Sequence, residues 1–287
     1  MKMTLCAMRM LMGDDAFIPF LSGKFYKHLM TILRNLNIAY TFGLRDFKQR
    51  YHESNLGLFW VIVQPLSLLI VIAIVVHFGL RGGGKTETNY LVYLATGYIP
   101  WLFFSSSCSQ ATNVYKKYSY VVKNINIPPA LLLCAVFISN IFVHVMLMFI
   151  IFCLLFYYGY LPTLSYLHIF YYFIAASVLG FAISLITSSV YVFLRDTEKA
   201  VGIVLQFGFW FTPILWDKSN IPSHLKWVID YNPVAYIVSG YRNAILYQES
   251  FGSFGIQGVC FWGMSIFILV IGCLLYKRLS PHFIELL

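Results

Sequence analysis

The sequence predicts an all-α integral membrane protein with six transmembrane helices, an N-terminal cytoplasmic amphipathic interface helix, and re-entrant helices between the fifth and sixth crossings. Three observations carry this. Of 287 residues, 60% are hydrophobic and 11% charged, against about 45–50% apolar and about 25% charged in soluble domains. The apolar residues fall into runs that match the ~20 residues needed to cross a bilayer. The Lys and Arg residues lie between those runs and favour alternate connections.

The runs cover Leu56 to Leu80, Tyr90 to Ser109, Ala130 to Tyr158, Leu167 to Leu194, Ala200 to Trp216 and Gly258 to Tyr276. A further stretch, Ile221 to Leu246, is apolar but interrupted by Pro233 and too polar for a seventh crossing, so it reads as re-entrant or interfacial. Eight Lys and Arg precede the first run, three follow the second, two the fourth and two the last; the alternating connections carry two, none and three. This bias places both termini in the cytoplasm. Residues 1–26 form an N-terminal extension, 27–55 the interface helix and 56–287 the transmembrane domain. The mixed first ~50 residues show no cleavable signal peptide, so the first crossing is expected to act as the targeting signal.

Ahead of the first run, Leu29, Ile32, Leu33, Leu36, Tyr40, Leu44 and Phe47 recur at three- and four-residue steps, with Thr31, Arg34, Asn35, Thr41, Arg45 and Lys48 on the other side. This is the pattern of an amphipathic helix. Its cationic face suits the cytoplasmic membrane interface. A surface helix packed on its own protein is the other reading of the same pattern.

The net charge of +9 could suggest nucleic acid, but the cations follow the membrane connections instead. The six cysteines show no Cys-x-x-Cys pair and are read as packing residues. Gly79 to Thr86 matches G-x-x-x-x-G-K-[ST] letter for letter. A phosphate-binding loop needs a preceding buried strand and a helix opening after Lys-Thr. Here an apolar run precedes it and Glu87-Thr88-Asn89 follow, on the face away from ATP, so it reads as a Gly-rich turn. No two of the seven histidines have i, i+4 spacing and no G-x-S-x-G elbow occurs. His77 and His144 fall inside apolar runs, where a neutral imidazole bonded to a neighbouring helix is the expected state. The runs hold almost no charge, which places the energy source outside this chain.

Uncharged polar residues do occur within or at the ends of the runs: Gln64-Pro65 in the first, Ser105 to Gln110 at the end of the second, Gln206 and Thr212-Pro213 in the fifth. Small polar residues join helices, and Pro65 and Pro213 are expected to kink theirs.

The order of these features resembles the membrane subunits of ABC-2-type exporters, in the polysaccharide branch that exports O-antigen, capsule and teichoic acid chains. The residues carrying the resemblance are Arg45-Asp46-Phe47-Lys48-Gln49-Arg50-Tyr51 with Leu56 to Trp60 and Gln64-Pro65, then Tyr120 to Lys123 with Ile127-Pro128, then Arg195-Asp196 ahead of Pro213, and Asn232-Pro233 with Arg242. These look like the family's R-Y-x-x-S-x-L-G-x-x-W-x-x-x-x-P entrance, K-x-x-x-x-P connection, R-D step and N-P element, and they cover the chain from about residue 27 onward.

The resemblance implies a bacterial inner-membrane homodimer with two separate ABC ATPase subunits that bind ATP and Mg, this chain carrying no cofactor of its own. It implies that Tyr115 to Asn126 docks on the ATPase, with Lys116, Lys117, Tyr120 and Lys123 as coupling candidates; the lysines also serve topology. It implies a passage between protomers along the first and fifth crossings, making Phe59, Trp60, Phe207, Trp210 and Phe211 candidates for an aromatic lining, unless they face lipid. The cargo would be an undecaprenyl-pyrophosphate-linked polysaccharide, with Arg45, Lys48 and Arg50 as candidates for receiving the pyrophosphate, or for anchoring anionic lipid. The alternatives are an exporter of a small molecule, drug or lipid, a membrane-embedded glycosyl- or acyltransferase, and a passive channel. The transferase reading would rest on Glu87, Asp217, Asp230 and Glu249, which show no evident pairing; the channel reading lacks a filter segment.

Overall fold

A computed structural model describes residues 23–52, 56–57, 59–75, 90–125, 127–218, 221–222, 224, 226–248 and 255–287. All regular elements among these are helical: α1 (Gly23–His52), α2 (Phe59–Ile74), α3 (Tyr90–Thr112), α4 (Val114–Lys117), α5 (Ser119–Asn124), α6 (Ala130–Tyr157), α7 (His168–Phe193), α8 (Thr197–Phe211), α9 (Lys226–Asp230), α10 (Pro233–Ile245), α11 (Gly255–Leu279) and α12 (Phe283–Leu286). His77, the Gly79 to Thr86 turn and the first 22 residues lie outside the described residues.

Three segments, Ala130–Tyr157, Leu164–Phe193 and Gly255–Leu286, are long and apolar enough to cross a membrane by length and composition. The helix α2 is apolar but shorter, at 16 residues. The helix α3 is the centre of the molecule: it packs on α6, α7, α8, α10 and α2, and most of its residues are buried. Its near-complete burial explains why its polar and aromatic residues show no amphipathic stripe; a helix surrounded on all sides has no solvent face to mark. Helix α11 packs chiefly along α7, and α1 along α6.

The amphipathic helix runs from Gly23 to His52, beyond the Leu29 to Phe47 pattern at both ends. Among its residues 34–50, Ala39, Gly43 and Asp46 are buried, and Gly43 sits so close to α6 that a Cβ there would lie 2.8 Å from the Ala135 carbonyl oxygen. Of the expected apolar face, Leu36 and Tyr40 are about half exposed or more, while Leu44 and Phe47 are partly buried and the Phe47 ring lies 5.5 Å from that of Phe142 in α6. The two readings of this helix are therefore compatible. Small residues fasten it to the protein, and its Leu36–Tyr40 face is left for other surroundings.

The fifth apolar run is also corrected. It was expected to continue through a kink at Pro213 to Trp216, but α8 ends at Phe211. Thr212 takes an extended conformation, as a residue before proline prefers, and 212–217 is irregular. Pro65, by contrast, lies inside α2.

Candidate functional site

Helices α1, α2, α3 and α6 line a partly open cavity of about 440 Å³. Arg50, Gln64, Ser106, Gln110, Asn140 and His144 supply its polar wall, and Trp60, Tyr98 and Phe103 its aromatic one. A more open groove of about 480 Å³ adjoins it between α2, α3 and α8, sharing Tyr98, Ser106 and Gln110 and adding Ser105, Ser109, Gln206, Trp101 and Phe209. The residues lining this groove are uncharged. A third, wholly apolar pocket of about 180 Å³ continues from the cavity past Pro65 toward Leu91 and Leu154. The polar residues at depth that the sequence singled out, Gln64, the Ser105–Gln110 cluster and Gln206, thus converge on one connected space. Ser107 and Cys108 of the same cluster are the exceptions, turned into the protein core.

Of the aromatic lining candidates, Trp60 reaches the cavity. Phe59, Phe207, Trp210 and Phe211 lie on the outer surface of the chain, each more than half exposed. The groove is lined instead by Tyr98, Trp101 and Phe209, with Phe209 5.9 Å from Trp101 and 6.4 Å from Tyr98 between ring centres. Sequence reasoning missed these three. Gln206 held the clue: one helical step from it on α8, at three residues, is Phe209, and Gly202 and Leu205 complete that face.

At the end of the molecule that carries α4 and α5 the cationic candidates separate. Arg45 and Lys48 are exposed, while Arg50 is drawn inward. Its Nε and Nη2 donate to Asp46 Oδ2 at 3.0 and 2.5 Å. Nη2 also donates to Ser139 Oγ at 2.8 Å and Nη1 to Asn140 Oδ1 at 3.2 Å. Asp46, 2% exposed, accepts further bonds from Lys117 Nζ at 2.6 Å and Tyr118 OH at 2.7 Å. Burial by itself would raise the Asp46 carboxyl, but the Arg50 charge and the bonds from Lys117, Tyr118 and Arg50 outweigh it and hold it down at about 2.

The coupling candidates divide in the same way. Lys116, Tyr120 and Lys123 are exposed on α4 and α5, four and three residues apart and so on one side of this nearly continuous helical stretch. Lys117 turns back to Asp46. The stretch is anchored by Tyr115 and Val122, both buried; the Tyr115 ring lies 4.9 Å from that of Phe283 in the C-terminal α12. Asn113 Nδ2 donates to Glu198 Oε1 at 2.8 Å, tying the end of α3 to the start of α8.

At the opposite end the Asn-Pro element is a helix cap. Asn232 Oδ1 accepts from the backbone N–H groups of Val234 and Ala235 at 2.9 and 3.3 Å, and Pro233 occupies the first turn of α10, where its missing N–H costs nothing. Asn232 Nδ2 also donates to Thr212 Oγ1 at 3.3 Å. Arg242 of α10 is buried and donates to the carbonyls of Pro213 at 2.5 Å, Ile214 at 2.6 Å and Tyr93 at 3.4 Å. Its guanidinium lies 3.7 Å from the centre of the Tyr93 ring. The break at Pro213 exposes carbonyls that α8 no longer satisfies, and Arg242 takes them up. Tyr90 and Tyr93 add bonds from their hydroxyls to the carbonyls of Leu215 and Trp216, each at 3.1 Å.

His144 is buried in α6, its Nε2 3.2 Å from Tyr241 OH and its ring stacked on Phe173, the bonding to a neighbouring helix expected for it. Of the carboxylates weighed for a transferase, Asp230 pairs with Lys218 and Gln257 and Asp217 lies beside the Tyr93 hydroxyl. Glu87 and Glu249 lie outside the described residues.

Comparison with known proteins places the chain among membrane transport proteins. Two O-antigen export system permease proteins RfbA from Klebsiella pneumoniae are 28% and 29% identical to this chain, over 90% of it and 100% of their own length. The protein of the same name from Myxococcus xanthus is 23% identical over 71% of this chain and 78% of its own. The model of the family described as ABC-2 type transporter matches residues 39–246, a stretch that runs from α1 through the groove and the Arg242 corner, and the chain belongs to that family.

Proposed function

We propose that this chain is the membrane-spanning permease subunit of an ATP-driven exporter that carries lipid-linked polysaccharide of the O-antigen kind across the bacterial inner membrane. It works as a homodimer with two copies of a separate ATPase, which supply the ATP and Mg sites. Six crossings, cytoplasmic termini and a re-entrant α9–α10 hairpin complete the proposed layout, and no nucleic acid takes part.

The observation that carries the reading is the uncharged groove along α3 and α8, where the hydroxyls and amides of Ser105, Ser106, Ser109, Gln110 and Gln206 alternate with Tyr98, Trp101 and Phe209. Sugar hydroxyls exchange hydrogen bonds with such groups, and the C–H faces of the rings rest on aromatic planes. A lining without charges holds no sugar tightly, so a polymer can advance in small steps. The outward rings of Phe59, Phe207, Trp210 and Phe211 would extend this surface where two protomers face each other. Arg45 and Lys48, with Arg50 behind them, would meet the lipid pyrophosphate by charge-assisted bonds. Lys116, Tyr120 and Lys123 would face the ATPase.

The test is export of a fluorescent lipid-linked oligosaccharide into vesicles holding this chain and its ATPase. ATP should drive uptake, and Trp101→Ala with Phe209→Ala should slow it by about tenfold or more, each stacking contact contributing roughly 1 kcal/mol. Uptake that needs no ATP, or that ignores both substitutions, would sink the reading. A lipid without sugars as the cargo is the second reading. The apolar pocket continuing from the cavity favours it, and faster transport of a sugar-free pyrophosphate lipid would select it.

A further inference from the structure

The Asp46 carboxylate has two sides. Its Oδ1 is held by Lys117 and Tyr118, at 2.6 and 2.7 Å, both from the α4–α5 segment. Its Oδ2 is held by Arg50, at 2.5 and 3.0 Å, from its own helix. Beyond Arg50 the bonds continue without a gap: Arg50 Nη1 donates to Asn140 Oδ1 at 3.2 Å, and Asn140 Nδ2 donates to Gln110 Oε1 at 3.1 Å. Arg50, Asn140 and Gln110 all line the cavity. A single line of hydrogen bonds therefore joins the segment bearing Lys116, Tyr120 and Lys123 to the wall of that cavity.

We propose that Asp46 is a positioning residue for transport, which passes a displacement of the α4–α5 segment to the cavity wall through its two differently engaged carboxylate oxygens. This rests on the reading of α4–α5 as the surface that meets the ATPase. The physical reason is that a buried carboxylate cannot be left half satisfied. When α4–α5 shifts, Lys117 and Tyr118 withdraw two donors from Oδ1. The nearest replacement is the Arg50 guanidinium, which can turn from one oxygen to both as a planar fork. In doing so it releases Ser139 and Asn140, and Asn140 and Gln110 then rearrange at the cavity wall. Such an element has two discrete arrangements, which is what coupling between distant sites requires. Gly43 and Ala39 hold α1 against α6 on the same buried face as Asp46, so the helix backbone stays in place while the side chains exchange partners.

The experiment compares ATP hydrolysed and labelled oligosaccharide exported by the complete complex in bacterial phospholipid vesicles. Asp46→Asn preserves shape and removes the charge. ATP turnover should persist while export per ATP falls by roughly tenfold or more. Joining Asp46→Asn to Asn140→Ala should lower that ratio no further than the worse single variant, because both cut one line. An unchanged ratio overturns the proposal, as do losses that multiply. So does a parallel fall of ATP turnover and export in a complex that assembles in full, the sign of a merely structural carboxylate. Should Asp46→Asn fail to assemble, Lys117→Met, a change at a half-exposed side chain, reads the same ratio, and an unaltered value overturns the proposal equally. The docking reading fails separately: Lys116→Glu with Lys123→Glu would leave the ATPase co-purifying in full. If those changes abolish co-purification while Asp46→Asn leaves the ratio intact, docking stands and the Asp46 role does not.

Discussion

Two buried charges stand near opposite ends of this molecule, and they are satisfied in opposite ways. Arg242 has no carboxylate against it among its hydrogen-bond partners: it rests on the Tyr93 ring and on the carbonyls of Pro213, Ile214 and Tyr93. Asp46 is met by side chains from α1, α4 and the α4–α5 junction. Backbone acceptors move only when the fold moves, so the Arg242 corner is a fixture. Side-chain donors on separate helices can change partners, so the Asp46 cluster is suited to motion. A buried charge is thus read by the mobility of what surrounds it, more than by the charge itself.

That comparison breaks most readily at Arg242. Arg242→Met should cost roughly 3 kcal/mol or more, because the carbonyls of Pro213 and Ile214 lose their donor, and Arg242→Lys should recover little of it, since an ammonium lacks the planar fork. Thermal unfolding in detergent measures both. A full recovery by lysine would mean that charge alone matters there. Next in size is Gly97→Ala. A Cβ at that position would lie 2.6 Å from Arg242 Nη2, forcing the guanidinium off its carbonyls at about 1–3 kcal/mol; an unchanged melting temperature would show that the corner is less rigid than described. Asn232→Ala removes the α10 cap and should cost about 1 kcal/mol, with Asn232→Asp restoring most of it through the same acceptor. The smallest effect sharpens the other side. The Asp46 carboxyl is lowered by its partners to about 2, so its contribution is complete above the unfolded carboxylate value and is lost as pH falls through the folded one. The stability difference between wild type and Asp46→Asn should therefore stay constant between about pH 5 and 8. A difference that varies within that window would place a second titrating group in the cluster.

Much of the site was present in the chain before its fold. Gln64, Ser106, Gln110 and Gln206 stood out because an amide or hydroxyl in an apolar run needs a reason, and all four line the connected space. Aromatic residues carry no such mark in a membrane protein, where rings belong equally to lipid, core and passage. That is why the sequence does not distinguish Phe209, which lines the groove, from the outward Phe207, Trp210 and Phe211. The three lysines of the α4–α5 segment are alike as letters, and charge count cannot tell Lys117 from Lys116. Only the approach of Asp46 from a helix far away in sequence separates them.

Composition and the positions of charge determined by themselves that the chain is helical and belongs in a membrane, since bilayer thickness and backbone hydrogen bonding leave few other solutions. The local cap at Asn232-Pro233 is of the same kind, being set by neighbours in sequence. Tertiary structure alone decided which face of α1 is buried, where α8 stops against Arg242, and that Arg50 and Lys117 share one carboxylate. Those outcomes depend on contacts between distant segments, whose geometry no single run of residues encodes.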